Sequence, residues 1–278
     1  MGIITLTTDF GQADGYVAAM KGVILSINPQ VQLVDISHSV RAQDVAGGAF
    51  VLGTAYPYFP AGTVHLAVVD PGVGTERRGV ILSTPQAQFV APDNGLLDYV
   101  LDDLGAGPAG AGGQRPLPPG TRAFELTNPA RWRQPVSATF HGRDIFAPVA
   151  AYLSRGEPPQ AFGRALSSLV GRPRPCPRQE AGRVCGQVVH VDGFGNLITN
   201  ITRQDLPGRG DLTIVAGEHT IRGLSRTYAG TRGPVALIGS SGRLEIAVNG
   251  ASARAVLGLG TGAEVVVTQN KRRQAKAR

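Results

Sequence analysis

The apolar run His65–Val69 ends in Asp70-Pro71-Gly72-Val73-Gly74-Thr75-Glu76-Arg77-Arg78. The glycines let the backbone turn sharply and approach a ligand. The segment is not a phosphate loop, because it has no Gly-Lys-Ser/Thr ending, and its glycine spacing does not match a dinucleotide fingerprint. A histidine follows much later, in Phe140-His141-Gly142-Arg143-Asp144, where Asp144 is placed to cap a helix over Ile145, Phe146 and Pro148. Read singly, Asp70 is equally a turn acid, Arg77 a surface cation and His141 a loop histidine. Brought together, their opposite charges would tune one another for proton chemistry.

Three further segments carry polar groups suited to a ligand. Thr7-Thr8-Asp9-Phe10-Gly11 places an acid at the exit of the first strand, where it can accept hydrogen bonds from vicinal ribose hydroxyls. Asp192-Gly193-Phe194-Gly195-Asn196 offers an acid, an aromatic face and an amide, and Ser240-Ser241-Gly242-Arg243 offers hydroxyls and a charge near a turn. These suit an amino-acid or nucleobase moiety.

The elements that must position these residues alternate in the first half of the chain between strand-like and helix-like segments, the pattern of a layered, Rossmann-like α/β domain. Strands are expected at Gly2–Thr7, Val31–Ser37, Val64–Val69, Gly79–Ser83 and Gln88–Ala91. A helix with Val17, Met20 and Ile24 on one face is expected to open at Asp14 as N-cap, with further helices at Val45–Tyr56, Leu96–Leu104 and Ile145–Leu153. The turns after Thr7, after Val69 and at Pro92-Asp93-Asn94-Gly95 then lie at strand ends, where open α/β sheets bind ligands. Gly105–Gly120, rich in Gly, Ala and Pro, reads as a mobile surface loop without chemistry.

Three prolines between Gly171 and Pro177 mark a connector, which divides the chain into an α/β domain over 1–170, a linker over 171–180 and a second domain over 181–270. In that second domain, short runs at Gly186–Val191, Leu212–Val215, Val235–Ile238, Leu244–Val248 and Glu264–Thr268 predict a smaller antiparallel β-barrel.

Composition bounds the function classes. With 42% hydrophobic and 17% charged residues the 278-residue chain is globular rather than disordered. It has no stretch approaching the ~20 apolar residues of a membrane span. The N-terminal MGIITLTTDF reads as a strand, not a signal peptide, so a cytoplasmic location is expected. The net charge of +7 is concentrated in a tail over 271–278, where Lys271, Arg272, Arg273, Lys276 and Arg278 carry five of the seven charges. No aromatic residue is interleaved with them for base stacking, so nucleic acid is not an expected partner. Cys176 and Cys185 lack a second pair or a histidine cluster, which argues for two free thiols and against a zinc site.

Taken in order, TLTTDFG, DGYVAAMKGVILSINP, VDISHSV with AQDV, VVDPGVGTERR, APDNGLL, FHGRDIFAPVA, VDGFGNLITNI and SSGRLEIAVNGASA resemble the S-adenosyl-L-methionine hydroxide adenosyltransferase family, relatives of the fluorinating and chlorinating enzymes. The resemblance implies hydrolysis of S-adenosyl-L-methionine to adenosine and L-methionine without metal or cofactor. It also implies a homotrimer whose sites lie between one subunit's N-terminal domain and its neighbour's C-terminal domain. By the same resemblance Asp70, Arg77 and His141 activate water, Asp9 holds the ribose hydroxyls, and Asp14 lies near the methionine end. Phe140 belongs to the substrate-binding set, Phe194, Asn196 and Tyr228 contact adenine, and Asp192, Ser240 and Ser241 hold the methionine amine and carboxylate.

Three features separate the hydrolase branch from a halogenase. The acid at position 70 and the short link between Ser83 and Gln88 both differ from what the fluorinases carry, and Gln43 stands where those enzymes place an aromatic. Ser241 stands where fluorinases use a cation for the substrate carboxylate. A chlorinase-like halogenase and a non-enzymatic binder of adenosine or S-adenosyl-L-methionine are the alternatives.

Overall fold

The computed structural model describes residues 2–207, 211–229 and 233–269. The expected basic tail lies outside these. The chain divides into two compact units, Met1–Pro173 and Arg174–Arg278, and the division falls inside the Pro-rich stretch.

The first unit runs β1 (Ile3–Thr8), α1 (Tyr16–Ile27), β2 (Gln32–Ser37), α2 (Val45–Ala55), β3 (Thr63–Val68), β4 (Gly79–Ser83), β5 (Ala87–Pro92) and α3 (Asp98–Asp103). It continues through β6 (Gln114–Pro116), β7 (Arg122–Glu125), a π-helical turn over Gly142–Phe146, α4 (Ala147–Ser154), β8 (Ala165–Leu166) and β9 (Ser168–Val170). Its main sheet has the order β2-β1-β3-β5-β4-β7-β8. Strands β2, β1, β3 and β5 are parallel, and β4, β7 and β8 extend the sheet antiparallel. From β1 the chain passes to β2 on one side and then to β3 on the other. That reversal opens a crevice beyond the carboxyl ends of β1 and β3, the switch point where such sheets take ligands.

Strand alternation supplies the two cores. Ile4, Leu6, Val64, Leu66 and Val68 pack with Met20 and Ile24 of α1 and Val149, Ala150 and Leu153 of α4. On the opposite face Ala67, Val69, Val80 and Leu82 pack with Val45, Ala49 and Leu52 of α2 and Val100 and Leu101 of α3. Each fully buried aliphatic side chain contributes about 1.5–3 kcal/mol.

Three local expectations fail. Helix α1 starts at Tyr16 with Gly15 as N-cap and no side-chain cap, so Asp14 does not cap it. Asp144 lies inside the π-turn rather than at a helix start, because its carboxylate is used by tertiary partners described below. Within Gly105–Gly120, β6 pairs with β9 and Arg115 is buried, bonded to Asp98 and Asp102, so the segment is not a plain surface loop.

The second unit runs β10 (Arg178–Glu180), β11 (Arg183–Val191), β12 (Leu197–Thr202), β13 (Leu212–Ala216), β14 (His219–Arg222), β15 (Pro234–Ile238), β16 (Arg243–Val248), α5 (Ala253–Leu257) and β17 (Glu264–Gln269). The antiparallel order β14-β13-β17-β11-β12-β16-β15 curls until its two edges nearly meet, where Ser225 N–H donates to the Ala236 carbonyl at 2.8 Å. This is the nearly closed barrel expected, wrapped around Val188, Leu197, Ile214, Leu244, Ile246 and Val267. Strand β12 escaped the sequence reading because Thr199 and Asn200 interrupt its apolar run. Both are buried and satisfied internally, Thr199 by the Leu244 carbonyl and Asn200 by Gln187 N–H and the Pro175 carbonyl. Cys176 is exposed and Cys185 buried, and both are free. No described helix is long and apolar enough to cross a membrane.

Candidate active site

The switch point carries Asp9 just beyond β1 and Asp70 just beyond β3. After Asp70 the chain folds through two tight turns, Val73 N–H to the Asp70 carbonyl at 3.2 Å and Thr75 N–H to the Gly72 carbonyl at 3.1 Å. Gly74 has φ 78°, and a Cβ there would lie 2.4 Å from the Ala138 carbonyl oxygen. Glycine is therefore required both for the conformation and for the close approach of this turn to the segment leading into His141.

That approach brings the three expected residues together. Arg77 donates from Nε to Asp70 Oδ1 at 2.9 Å and from Nη2 to Asp70 Oδ2 at 2.5 Å, a forked ion pair with side chains 12% and 5% exposed. The same Nη2 lies 2.7 Å from His141 Nδ1, and the guanidinium stands 5.1 Å above the Phe146 ring. Arginine only donates, so Nδ1 must present its lone pair. The histidine is thereby held neutral, with its proton on Nε2. Burial lowers the His141 pKa, and the Arg77 charge lowers it further against the opposing pull of Asp70 and Asp144. An arginine thus fixes the tautomer of one neighbour and the orientation of the other.

Asp144 holds the loop that delivers His141. Its fully buried carboxylate accepts from Ser137 N–H at 2.9 Å and from Arg143 at 2.7 Å through both Nε and Nη2, while its own carbonyl accepts from Arg133 N–H at 2.8 Å. Burial opposes ionisation of this carboxylate, but Arg143, the Ser137 amide and Arg133 outweigh it and lower its pKa.

A cavity of about 380 Å³ opens at this point. Phe10, Tyr16 and Phe140 form an aromatic wall with ring centroids 5.3–6.0 Å apart, and Asp70, His141, Ser137 and Thr139 supply polar groups. Phe140 was expected here. Phe10, Tyr16, Ser137 and Thr139 were not singled out, although they sit in TTDFG, in DGYV and just before FHGRD. Asp9 does not line this cavity, though its neighbour Phe10 does; its Oδ2 accepts from Gln43 N–H at 2.7 Å. Asp14 is exposed and is not among the lining residues.

In the second unit, Asp192 Oδ1 accepts from the amides of Phe194 (2.9 Å) and Asn196 (2.8 Å), and its Oδ2 accepts from Asn196 Nδ2 at 2.9 Å. The turn presents Phe194 outward, 82% exposed. Tyr228 donates to Glu245 Oε1 at 2.8 Å. Glu245, which sequence reading missed, is only 5% exposed, and burial together with the charge of Asp192 raises its pKa beyond what Tyr228 restores. Burial and Glu245 push the Tyr228 phenol up to about 12. Ser240 and Ser241 lie in the turn between β15 and β16.

The chain is similar to known proteins along nearly its whole length. Residues 4–163 match the model of the SAM hydroxide adenosyltransferase N-terminal domain, and residues 186–266 match that of the C-terminal domain. The chain is 43% identical to the (R)-S-adenosyl-L-methionine hydrolase of Salinispora tropica, over 95% of this chain and 97% of that one. It is 39% identical to the enzyme of the same name from Thermus thermophilus, over 93% and 96%. A fluorinase from an Actinoplanes species is more distant, at 33% over 75% and 74%. The crystal structure of an uncharacterized conserved protein from Thermotoga maritima superposes with a TM-score of 0.84 at 33% identity, covering 97% of this chain and all of that one. With both domain models matched, this chain belongs to the SAM hydroxide adenosyltransferase family.

Proposed function

We propose that the protein hydrolyses S-adenosyl-L-methionine to adenosine and L-methionine, and that Asp70, Arg77 and His141 activate the water. The observation that carries this reading is the single Arg77 nitrogen shared between Asp70 and His141 at the edge of the cavity. The hydrolase relatives are named for the R configuration at sulfur, and that epimer is the proposed substrate.

The sulfonium makes methionine a neutral thioether leaving group. Water attacks the ribose 5′-carbon in line, the oxygen–carbon bond forms, and the carbon–sulfur electron pair returns to sulfur. Bulk water, with a pKa of about 15.7, is a poor nucleophile. Because His141 offers Nε2–H and no free lone pair, it donates to the water oxygen and stabilises growing hydroxide character. Asp70 accepts the proton. Its oxygens retain lone pairs beyond those used by Arg77, and a positioned base contributes roughly 10²- to 10⁴-fold. Arg77 keeps both partners in these roles. Charge is annihilated as hydroxide meets sulfonium, so the aromatic wall of Phe10, Tyr16 and Phe140 assists by excluding solvent.

The remaining substrate roles are proposed with it: Asp9 on the ribose hydroxyls, Asp14 near methionine, Phe194, Asn196 and Tyr228 on adenine, and Asp192, Ser240 and Ser241 on the amino-acid end. A homotrimer in the cytoplasm, with each cavity completed by a neighbour's C-terminal unit, completes the reading. Purified protein given the R epimer should release adenosine and methionine in equal amounts, and its mass by light scattering should be three times that of the chain. A monomer that turns over at full rate would remove the trimer; absence of adenosine would remove the hydrolase.

A further inference from the structure

Asp9 is held by a segment with no assigned role. Strand β1 pairs with β2 through Leu6–Asp35 and then Thr7–Ser37, skipping Ile36, and this bulge re-aims the residues that follow. Next comes His38, 3% exposed. Its Nδ1 lies 2.8 Å from Thr8 Oγ1, and its carbonyl accepts from Gly11 N–H at 2.8 Å, so one residue grips the chain on both sides of Asp9.

Thr8 Oγ1 accepts from Phe10 N–H at 3.3 Å and shares a hydrogen bond with His38 Nδ1. On its other side His38 Nε2 lies 3.0 Å from Asp35 Oδ1, poorly angled for a hydrogen bond. Asp35 is anchored in turn by Lys21 at 2.6 Å. On the carboxylate itself, Gln43 N–H takes Oδ2 from a left-handed backbone, φ 64°, that a non-glycine residue holds only under constraint. Asp9 Oδ1 has no protein hydrogen-bond partner among the described residues.

We infer that His38, acting through Thr8 and Gly11, is a positioning residue that aims Asp9 at the ribose hydroxyls. This rests on the proposed reading of Asp9 as the ribose acceptor. A misaimed carboxylate loses the hydrogen bonds it makes to hydroxyls, and leaves binding of the rest of the substrate intact. The signature is therefore discrimination between ribose and deoxyribose.

The test compares KM and kcat for S-adenosyl-L-methionine and its 2′,3′-dideoxyadenosyl counterpart in the native enzyme and in Asp9→Asn, Thr8→Val, His38→Ala and His38→Asn. Thr8→Val is nearly isosteric and guards against a His38→Ala protein that does not fold. Thr8→Val and His38→Ala should each raise KM for the ribose substrate roughly tenfold, the scale of one hydrogen bond to a charged group, with KM for the deoxy substrate within about twofold. His38→Asn, which returns a hydrogen-bonding amide near the Nδ1 position, should recover much of the loss. A native enzyme that treats both substrates alike, with Asp9→Asn unchanged, overturns the reading of Asp9 and this proposal with it. If Asp9→Asn abolishes discrimination while Thr8→Val and His38→Ala preserve it, Asp9 stands and the positioning role of His38 is overturned.

Discussion

The two units each bury a carboxylate beside a hydrogen-bond donor, but they balance its charge differently. Asp70 meets the forked guanidinium of Arg77, whereas Glu245 accepts from the Tyr228 phenol and stands within the field of Asp192. The first pair keeps a charged carboxylate at the cavity and a neutral histidine next to it. At the second pair burial and the charge of Asp192 raise the Glu245 pKa against the Tyr228 hydrogen bond. Chemistry that needs a fixed anion belongs at the first; the second has its charge set by what surrounds it.

The largest effect on this contrast comes from Asp70→Asn, which removes the anion and keeps the shape. Turnover should fall by roughly 10²- to 10⁴-fold with the melting temperature nearly unchanged, as followed by adenosine release and thermal unfolding. Arg77→Lys should cost less, on the order of 10²-fold, because a single ammonium cannot span both Asp70 oxygens and His141 Nδ1. Steady-state kinetics of that variant, compared with Asp70→Asn, will show whether orientation or charge matters more.

Gly74→Ala sharpens the geometric side of the comparison. The added Cβ meets the Ala138 carbonyl at 2.4 Å in a left-handed conformation, so about 1–3 kcal/mol of stability should be lost together with activity. Denaturant unfolding checks the first and adenosine release the second. In the second unit, Tyr228→Phe removes a hydrogen bond to Glu245 and should cost about 1–2 kcal/mol, with little change in kcat. An equal fall in kcat and stability would erase the distinction drawn between the two carboxylates.

The pH response is the mildest test. The folded pKa of His141 is lowered from 6.5, so in acid the unfolded chain takes up this proton before the native protein does. Stability from this group is therefore fully present above about pH 6.5 and is lost as pH falls through the lowered folded value. Activity should fall over the same acidic range, since protonation puts a second donor opposite Arg77. A kcat/KM profile that rises toward acid would contradict the neutral donor role.

Much of this architecture is legible in the chain itself. The apolar runs before Asp9 and Asp70, each closed by a polar glycine-containing turn, announce strand exits at a ligand crevice. What sequence conceals is tertiary satisfaction. Asp144 carries the local signal of a helix cap, an acid before an apolar run, yet its partners Ser137 and Arg133 lie upstream and its carboxylate fixes a loop instead. Arg115 sits in a stretch that looks featureless, and its partners Asp98 and Asp102 belong to a helix. His38 is similar: nothing about DISHSV announces a role until the bulge in β2 turns it toward Thr8. The meeting of Asp70, Arg77 and His141 was expected only through the family resemblance, because the contact depends on Gly74 approaching Ala138.

Delivery of water to the ribose 5′-carbon by this trio is read out by turnover in heavy-oxygen water, with native protein and Asp70→Asn compared. One labelled oxygen should appear in the 5′-hydroxyl of adenosine, with equal amounts of unlabelled methionine, and the rate should collapse in the variant. Unlabelled adenosine, a 5′-halogenated product in the presence of chloride, or undiminished turnover by Asp70→Asn would contradict it.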